Sequence, residues 1–489
     1  MSLKKQIEQI VGSVNVLDDP DLQERYVADQ SFVSGSPPAY IVRPRRVDEI
    51  QKIVQLANRT KTPLTPYSSG LNLHGAAVPL KGGIILDLSS MDRIIEINEQ
   101  DWFAVIEPGV TYEVLQQALE KKGLRLMAPL GVPAGRSVLT SYLERDVMLA
   151  AAHQEYGNYL ILDTELVLPE GDLLRTGCWN LGGNPGGFYG PGLNMLYKLW
   201  TGAQGTLGIF TKMIISVQHL SPQRKFFFIP FETADMIPEV IKRIQRKEIG
   251  WECFGLNRFN LAALLNDEWE VPQQFPVAPQ PSARFAQIQK SLPAWTLIIG
   301  LSGLPYFPEE RIAYEEEELR KLCSELNVTV VQELPGFPAM QEIFLTESLR
   351  PWCILRKFNF KGSVHDLSFK VPLHRFPAIE TIVSDAARNH GYPPQDLGGY
   401  FVVMERGRGI HCEFDLHADP HSADEKKKIR TLWLAASASL MDCGALFDRP
   451  YGDWAGMVYA RAPEYALKLK QIKHEMDPQG ILNPGKLCF

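Results

Sequence analysis

The chain lacks several features, and each absence removes a class of function. No window approaches about 18 uncharged apolar residues, so no segment is expected to span a membrane. The opening residues, MSLKKQIEQIVGSV, have no continuous apolar stretch of the kind a secretory leader carries. Of the seven cysteines (178, 253, 323, 353, 412, 443 and 488), no two are spaced CxxC, which excludes a zinc ribbon or a locally encoded iron–sulfur cluster. An odd count without a leader points to a reducing compartment, and the protein is read as cytoplasmic. Basic runs are scarce: Lys426–Lys428 follows Asp424 and Glu425 in a helical pattern and reads as a solvated face. With a net charge of −7, nucleic acid is not an expected partner. No GxGxxG separates a strand from a helix, so a Rossmann dinucleotide site is not indicated. GILNPGKL (480–487) mimics a phosphate-binding P-loop, but Leu487 stands where Ser or Thr is required and no helix follows.

What is present is ordinary globular composition, 45% apolar and 22% charged over 489 residues, enough for two to four domains at roughly 150 residues each. Val47, Ile50, Ile53, Val54 and Ala57 share one helical face over 47–58. IILDLS (84–89) and WFAVIEPGVTY (102–112) read as strands, and YEVLQQALEKKG (112–123) as a helix closed by Gly123. YLILDTELVLPEGDLLRTG (159–177) is a hairpin about the turn 169–172. A glycine-dense loop (182–192) precedes another strand within 205–220. Beyond Ser221-Pro222 come strands at 226–231, 295–303, 328–332, 365–373 and 400–418, with helices at 234–247, 308–326 and 377–391. That alternation builds an antiparallel sheet covered by helices on one face. Residues 267–294, rich in Pro and Gln, read as a long loop.

Three loops of small residues stand out: TPYSSGLNLHG (65–75), GVPAGRSVLTS (131–141) and GAQGTLGIFTK (202–212). Such loops leave backbone N–H groups uncovered, and the concavities bind anions such as a pyrophosphate. In this order, and with RPRRVDEIQKIVQLAN before them, ILDLSSMDRIIEIN, AVIEPGVTY and ELVLPEGDLLRTG between them and MDPQGILNPGKLCF after them, the chain resembles the vanillyl-alcohol oxidase / 4-cresol methylhydroxylase family of flavoproteins. The resemblance covers most of 40–220 and the last 75 or so residues. It implies an α+β fold: a PCMH-type FAD-binding domain (1–221), a cap domain (222–445) with a helix-covered antiparallel sheet, and a C-terminal segment (446–489) returning to the FAD domain. FAD is the implied cofactor, held by Pro66, Tyr67, Ser68, Ser69, Gly70, Leu71, Asn72, Gly131, Ala134, Gly135, Ser137, Ser141, Gly208 and Ile209, with Asn483 and Lys486 folding back. His365 aligns with the histidine that holds FAD covalently in vanillyl-alcohol oxidase, which implies an 8α-histidyl link.

The stretch GRGIHCEFDLHADPH (407–421) is the densest in chemistry. As a strand, its period of two puts His411, Glu413, Asp415 and His417 on one face and Cys412, Phe414 and Leu416 on the other. Four ionisable groups facing one way are costly to bury unless paired or functional. The readings are a solvated face, a metal site of His411, His417 and His421, or an active-site wall. The family places a His and, four residues later, an Asp beside the substrate, and His411 and Asp415 match. No Glu-His dipeptide follows, unlike the metal-dependent D-2-hydroxyacid dehydrogenases, so no metal is expected. In GALFDRPYGDW (444–454), Arg449 and Tyr451 stand near the position of the family's phenolate-binding Tyr-Arg pair. The expected reaction is hydride removal from a benzylic or carbinol carbon of a small, aromatic substrate such as a 4-alkylphenol or aryl alcohol. His411 acts as general base or hydrogen-bond donor, Asp415 orients it or stabilises an intermediate, and Arg449 and Tyr451 hold the polar end. The alternatives are a D-2-hydroxyacid dehydrogenase of the glycolate-oxidase type and a non-catalytic electron-relay subunit. A cytochrome or electron-transfer flavoprotein is a candidate acceptor, and a homo-oligomer is the family's usual state.

Overall fold

The computed structural model describes residues 1–150, 160–182, 196–268, 282–303 and 305–489. Nearly all of the glycine-dense loop at 182–192, and 269–281 of the Pro/Gln-rich stretch, lie outside these residues.

The chain forms three principal sheets. The first holds Val16–Leu17, Tyr40–Val42, Ile84–Asp87 and Leu64–Tyr67, the last three mutually parallel. The helix Val47–Thr60 covers it with Ile50, Ile53, Val54 and Ala57, the face the apolar spacing selects. Ile481 and Leu482 join the same core, and Leu64 and Leu482 form a parallel bridge. The C-terminal residues are therefore packed beside the chain's first strands.

The second sheet is antiparallel, in the order Ile94–Asn98, Phe103–Ile106, Ile209–Ser216, Ile161–Val167, Leu173–Arg175. The last two strands are the hairpin that the Pro-Glu-Gly-Asp turn predicts. The third sheet has six antiparallel strands: Arg224–Phe231, Trp295–Ser302, Glu252–Asn257, Gly398–Met404, Gly409–Ala418 and Ser363–Pro372. Helices Ile237–Arg246, Pro308–Glu325, Phe376–Asn389 and Ala423–Asp442 bury their apolar stripes on one face. Shorter helices, Arg258–Leu265 and Met340–Glu347, cover part of the other, so the helical cover is two-sided rather than one-sided.

Two local readings change. Residues 328–332 do not form a strand; only Val331 pairs, with Phe228, in an isolated bridge. Its β-branched run packs against the core under the helix Pro308–Glu325 instead. Within the expected loop 267–294, Ala283–Ser291 is a helix, capped by the Ser282 hydroxyl accepting from the Phe285 N–H.

Phe344 anchors the second face of the cap sheet. It is fully buried and meets Phe226, Phe228 and Phe254 at centroid distances of 6.0, 5.1 and 6.1 Å. Phe344→Ala is expected to lower unfolding free energy by about 3–5 kcal/mol in urea titrations. An unchanged midpoint would show that this cluster is not what holds the face.

Candidate active site

The first and second small-residue loops are tied to each other. The Ser137 N–H donates to Ser69 Oγ at 3.1 Å, and the hydroxyls of Ser68 and Thr140 are 2.7 Å apart. The third loop approaches the first through Gly205, at φ +70°, where a Cβ would lie 2.9 Å from the Pro66 ring. Only glycine permits both that backbone and that contact. Together they enclose a cleft of about 870 Å³, lined by 66–72, Leu139, Thr140, 203–205 and 207–210 among others. Backbone amide groups beside small side chains suit a pyrophosphate, and the apolar Leu88, Leu139 and Leu207 suit the flat parts of a dinucleotide. The residues present therefore fit FAD.

The cleft continues through Leu71, Asn72 and Arg136 into a chamber of about 750 Å³. Its walls come from loop 129–133, from Leu355, Lys357 and Phe358, and from Val364, Asp366, Tyr400, His411, Glu413 and Arg449. On the strand Gly409–Ala418, Cys412, Phe414 and Leu416 enter the helix-side core, leaving His411 and Glu413 to the chamber, as the period of two predicts.

His411 is buried and its Nδ1 has no hydrogen-bond partner. Burial, reinforced by Arg449 and Lys370, lowers its pKa to about 3, so the ring is neutral. Glu413 accepts from Lys357 Nζ at 3.0 Å and from the Tyr400 hydroxyl at 2.7 Å, and burial pushes it up to about 7. Lys357 also donates to Asp415 at 2.7 Å; the two carboxylates outweigh the burial that would lower its pKa and hold it above the usual lysine range. Opposite, Asp146 accepts from Arg449 and from the Ser141 hydroxyl and pairs with Arg136 at 2.6 Å. Burial would raise its carboxyl, but the two guanidinium groups hold it below its ordinary value. His74 Nε2 lies 3.0 Å from Asp366 and its Nδ1 2.6 Å from the Asn72 carbonyl, at the wall between the chamber and a neighbouring cavity of about 710 Å³. Against the burial that opposes both charges, each of this pair favours the ionised form of the other.

Among the residues expected from sequence, 66–72, Gly208 and Ile209 line the cleft, and Gly131, His411 and Arg449 line the chamber. Ala134, Gly135, Ser137 and Ser141 lie behind these walls; Ser137 caps the helix Val138–Leu143 and Ser141 holds Asp146. Asn483 and Lys486 also stay outside the cleft. The Asn483 amide donates to the carbonyls of Ala76 and Gln204, and the Lys486 ammonium to those of Gly75 and Val78, clamping loop backs.

Asp415 does not reach His411. Four residues along a strand are about 13 Å, too far for a direct contact, and the carboxylate is taken by Lys357 and Asn260. The Tyr451 hydroxyl donates to Glu144 and accepts from Asn72, and its ring lines the neighbouring cavity. His365 lines that cavity too, stacked on Phe32 at 4.4 Å, because strand alternation turns it away from Asp366's side. His417 is buried against Phe259 and His421 is exposed. Among the described residues no cluster of His, Cys, Asp or Glu is placed to hold a metal, and no helix is long and apolar enough to cross a membrane.

The sequence reading missed Arg136, Asp146, Lys357, Tyr400 and Asp366 as chamber groups. Arg136 sat inside a quoted motif, and a lone guanidinium amid small residues was the available signal.

Residues 38–177 match the FAD binding domain family. The chain is 23% identical to glycolate oxidase subunit GlcD of Bacillus subtilis, over 99% of this chain and 96% of that one. It is 26% identical to the 4-cresol dehydrogenase (hydroxylating) flavoprotein subunit of Pseudomonas putida, over 98% and 93%. The solved structure of p-cresol methylhydroxylase with substrate bound superposes with a TM-score of 0.81 at 20% identity, covering 99% of this chain and 96% of that one. The fold is shared.

His411 and His365, lowered to about 3 and about 4, bind protons in the unfolded chain first. Stability from these groups is complete above an ordinary histidine pKa of about 6.5 and is lost as pH falls from there toward 4 and 3. Urea midpoints should drop over that window, and less so in His365→Phe. Equal acid sensitivity of variant and parent would count against a buried neutral His365.

Proposed function

We propose, for a chain that carries the p-cresol methylhydroxylase type of FAD-binding domain and is an FAD-dependent oxidoreductase, that it oxidises a benzylic or carbinol carbon of a small substrate bearing an anionic oxygen. Bound FAD supplies the hydride acceptor. The reading is carried by one observation: a neutral, buried imidazole, His411, shares a chamber with the Arg449 guanidinium.

His411, neutral at rest, is free to take the substrate's hydroxyl proton, and the substrate's anionic oxygen, by offsetting Arg449, raises the basicity that burial, Arg449 and Lys370 otherwise hold down. Arg449, fixed by Asp146 and by its contact with Ser368 Oγ at 2.7 Å, faces the substrate's anionic oxygen. Leu130, Val132, Leu355, Phe358 and Val364 surround a ring-sized apolar part and exclude water. Asp415 acts through Lys357 rather than on substrate. Tyr451 orders Glu144 and Asn72.

A 2-hydroxyacid substrate is the second reading, favoured by the glycolate oxidase relative; its carboxylate would meet the same Arg449. An electron-relay role would need no proton acceptor in an enclosed chamber. The Pseudomonas putida relative is named as a flavoprotein subunit, which supports a protein electron acceptor here. We read the flavin as dissociable. His365 has Ser363 Oγ at 3.5 Å as a polar neighbour, and among the described residues no carboxylate is hydrogen-bonded to it to take the proton that an 8α link displaces.

Anaerobic mixing with alkylphenols, benzyl alcohols and 2-hydroxyacids should bleach the flavin with one class. His411→Gln should slow bleaching by about 10²–10⁴-fold while leaving FAD content unchanged. If dithionite alone bleaches it, the relay role replaces the enzymatic one. On acid precipitation the yellow colour should stay in the supernatant; a coloured pellet would restore the His365 link.

A further inference from the structure

Among the described residues, Arg136 is the one cationic side chain that lines both the cofactor cleft and the chamber. It is 8% exposed, and its Nε has no hydrogen-bond partner. Leaving a buried N–H unpaired is costly, more so on a charged group, so an orphan of this kind points to a ligand that completes it. The surrounding charge agrees. Arg136 and Arg449 ion-pair with a single carboxylate, Asp146, and Glu144, another acid near Arg136, is buried and pushed toward its neutral form. On the opposite wall Lys357 is met by two carboxylates, Asp415 and Glu413, and burial pushes Glu413 up to about 7. The Lys370 ammonium is likewise met by Asp448.

We propose that Arg136 and Arg449, joined through Asp146, form a site for a planar, delocalised oxyanion at the seam between cleft and chamber. Two sources share that chemistry: a carboxylate or phenolate of the substrate, and the pyrimidine end of the reduced flavin. The inference rests on the FAD-dependent reading above and adds to it a second guanidinium that selects anionic substrates. A forked donor suits either ligand, whereas a lysine at position 136 would supply charge without the paired geometry.

The test uses flavin-loaded Arg136→Gln and Arg136→Lys, with benzoate as a non-reducing probe read by its perturbation of the flavin spectrum. A second arm reads the flavin midpoint potential against a reference dye. Loss of benzoate affinity by tenfold or more in Arg136→Gln, at unchanged potential, assigns the site to substrate. A lowered potential with benzoate binding intact assigns it to the reduced flavin. Partial retention in Arg136→Lys supports the fork in either case. If both variants bind benzoate and hold their potential like the parent, the proposal is overturned. A parent protein that takes up no flavin would instead remove the FAD reading itself, so the two failures are distinguishable.

Discussion

One carboxylate organises the centre of this molecule. Asp146 sits between Arg136, Arg449 and the Ser141 hydroxyl; Arg136 and Ser141 are buried and Arg449 largely so. Two guanidinium groups brought together out of water repel and are poorly solvated; removing a shared counter-ion from such an arrangement costs several kcal/mol. Arg136 comes from the second loop of the cofactor cleft, and Arg449 from the segment that follows the cap sheet. The distance between these distant parts of the chain, and so the width of the chamber, is set where they meet Asp146. Tyr451, two residues beyond Arg449, repeats the attachment by donating to Glu144 on the same short stretch.

The chamber combines this arrangement with an apolar surround. Leu130, Val132, Leu355 and Val364 lower the local dielectric, which strengthens each remaining charge interaction and penalises any left unmatched. His411 responds by staying neutral, Glu413 by resisting ionisation, and Lys357 by keeping its proton between two carboxylates. Three titratable groups within one chamber thus hold different states for one reason, the scarcity of water, sorted by which neighbours each one has.

Sequence made the local parts legible. The helix Val47–Thr60, the hairpin Ile161–Arg175 and the alternation along Gly409–Ala418 are written in spacings of a few residues, and there neighbours along the chain decide the outcome. The three small-residue loops were recognisable as a set because their order is itself a pattern. What was hidden depends on partners far away in sequence. Nothing in the sequence around Lys357 marks it out; its role comes from Glu413 and Asp415, more than fifty residues away. His411 and Asp415 looked like a pair because they face one way; strand rise keeps them apart, and the Asp is used by Lys357 and Asn260. The run 328–332 has the composition of a strand, but one bridge to Phe228 is all the pairing it finds.

The clamp at the far end of the chain sets an order of assembly. Lys486 grips the carbonyl of Gly75 across 411 positions of sequence, and Asn483 spans almost as far to Ala76. At ribosomal speeds of about 5–20 residues per second, roughly 20–80 s separate synthesis of the first loop from synthesis of its clamp. For that interval the nascent dinucleotide cradle lacks its back wall, so firm cofactor capture belongs to the finished polypeptide rather than to the growing one.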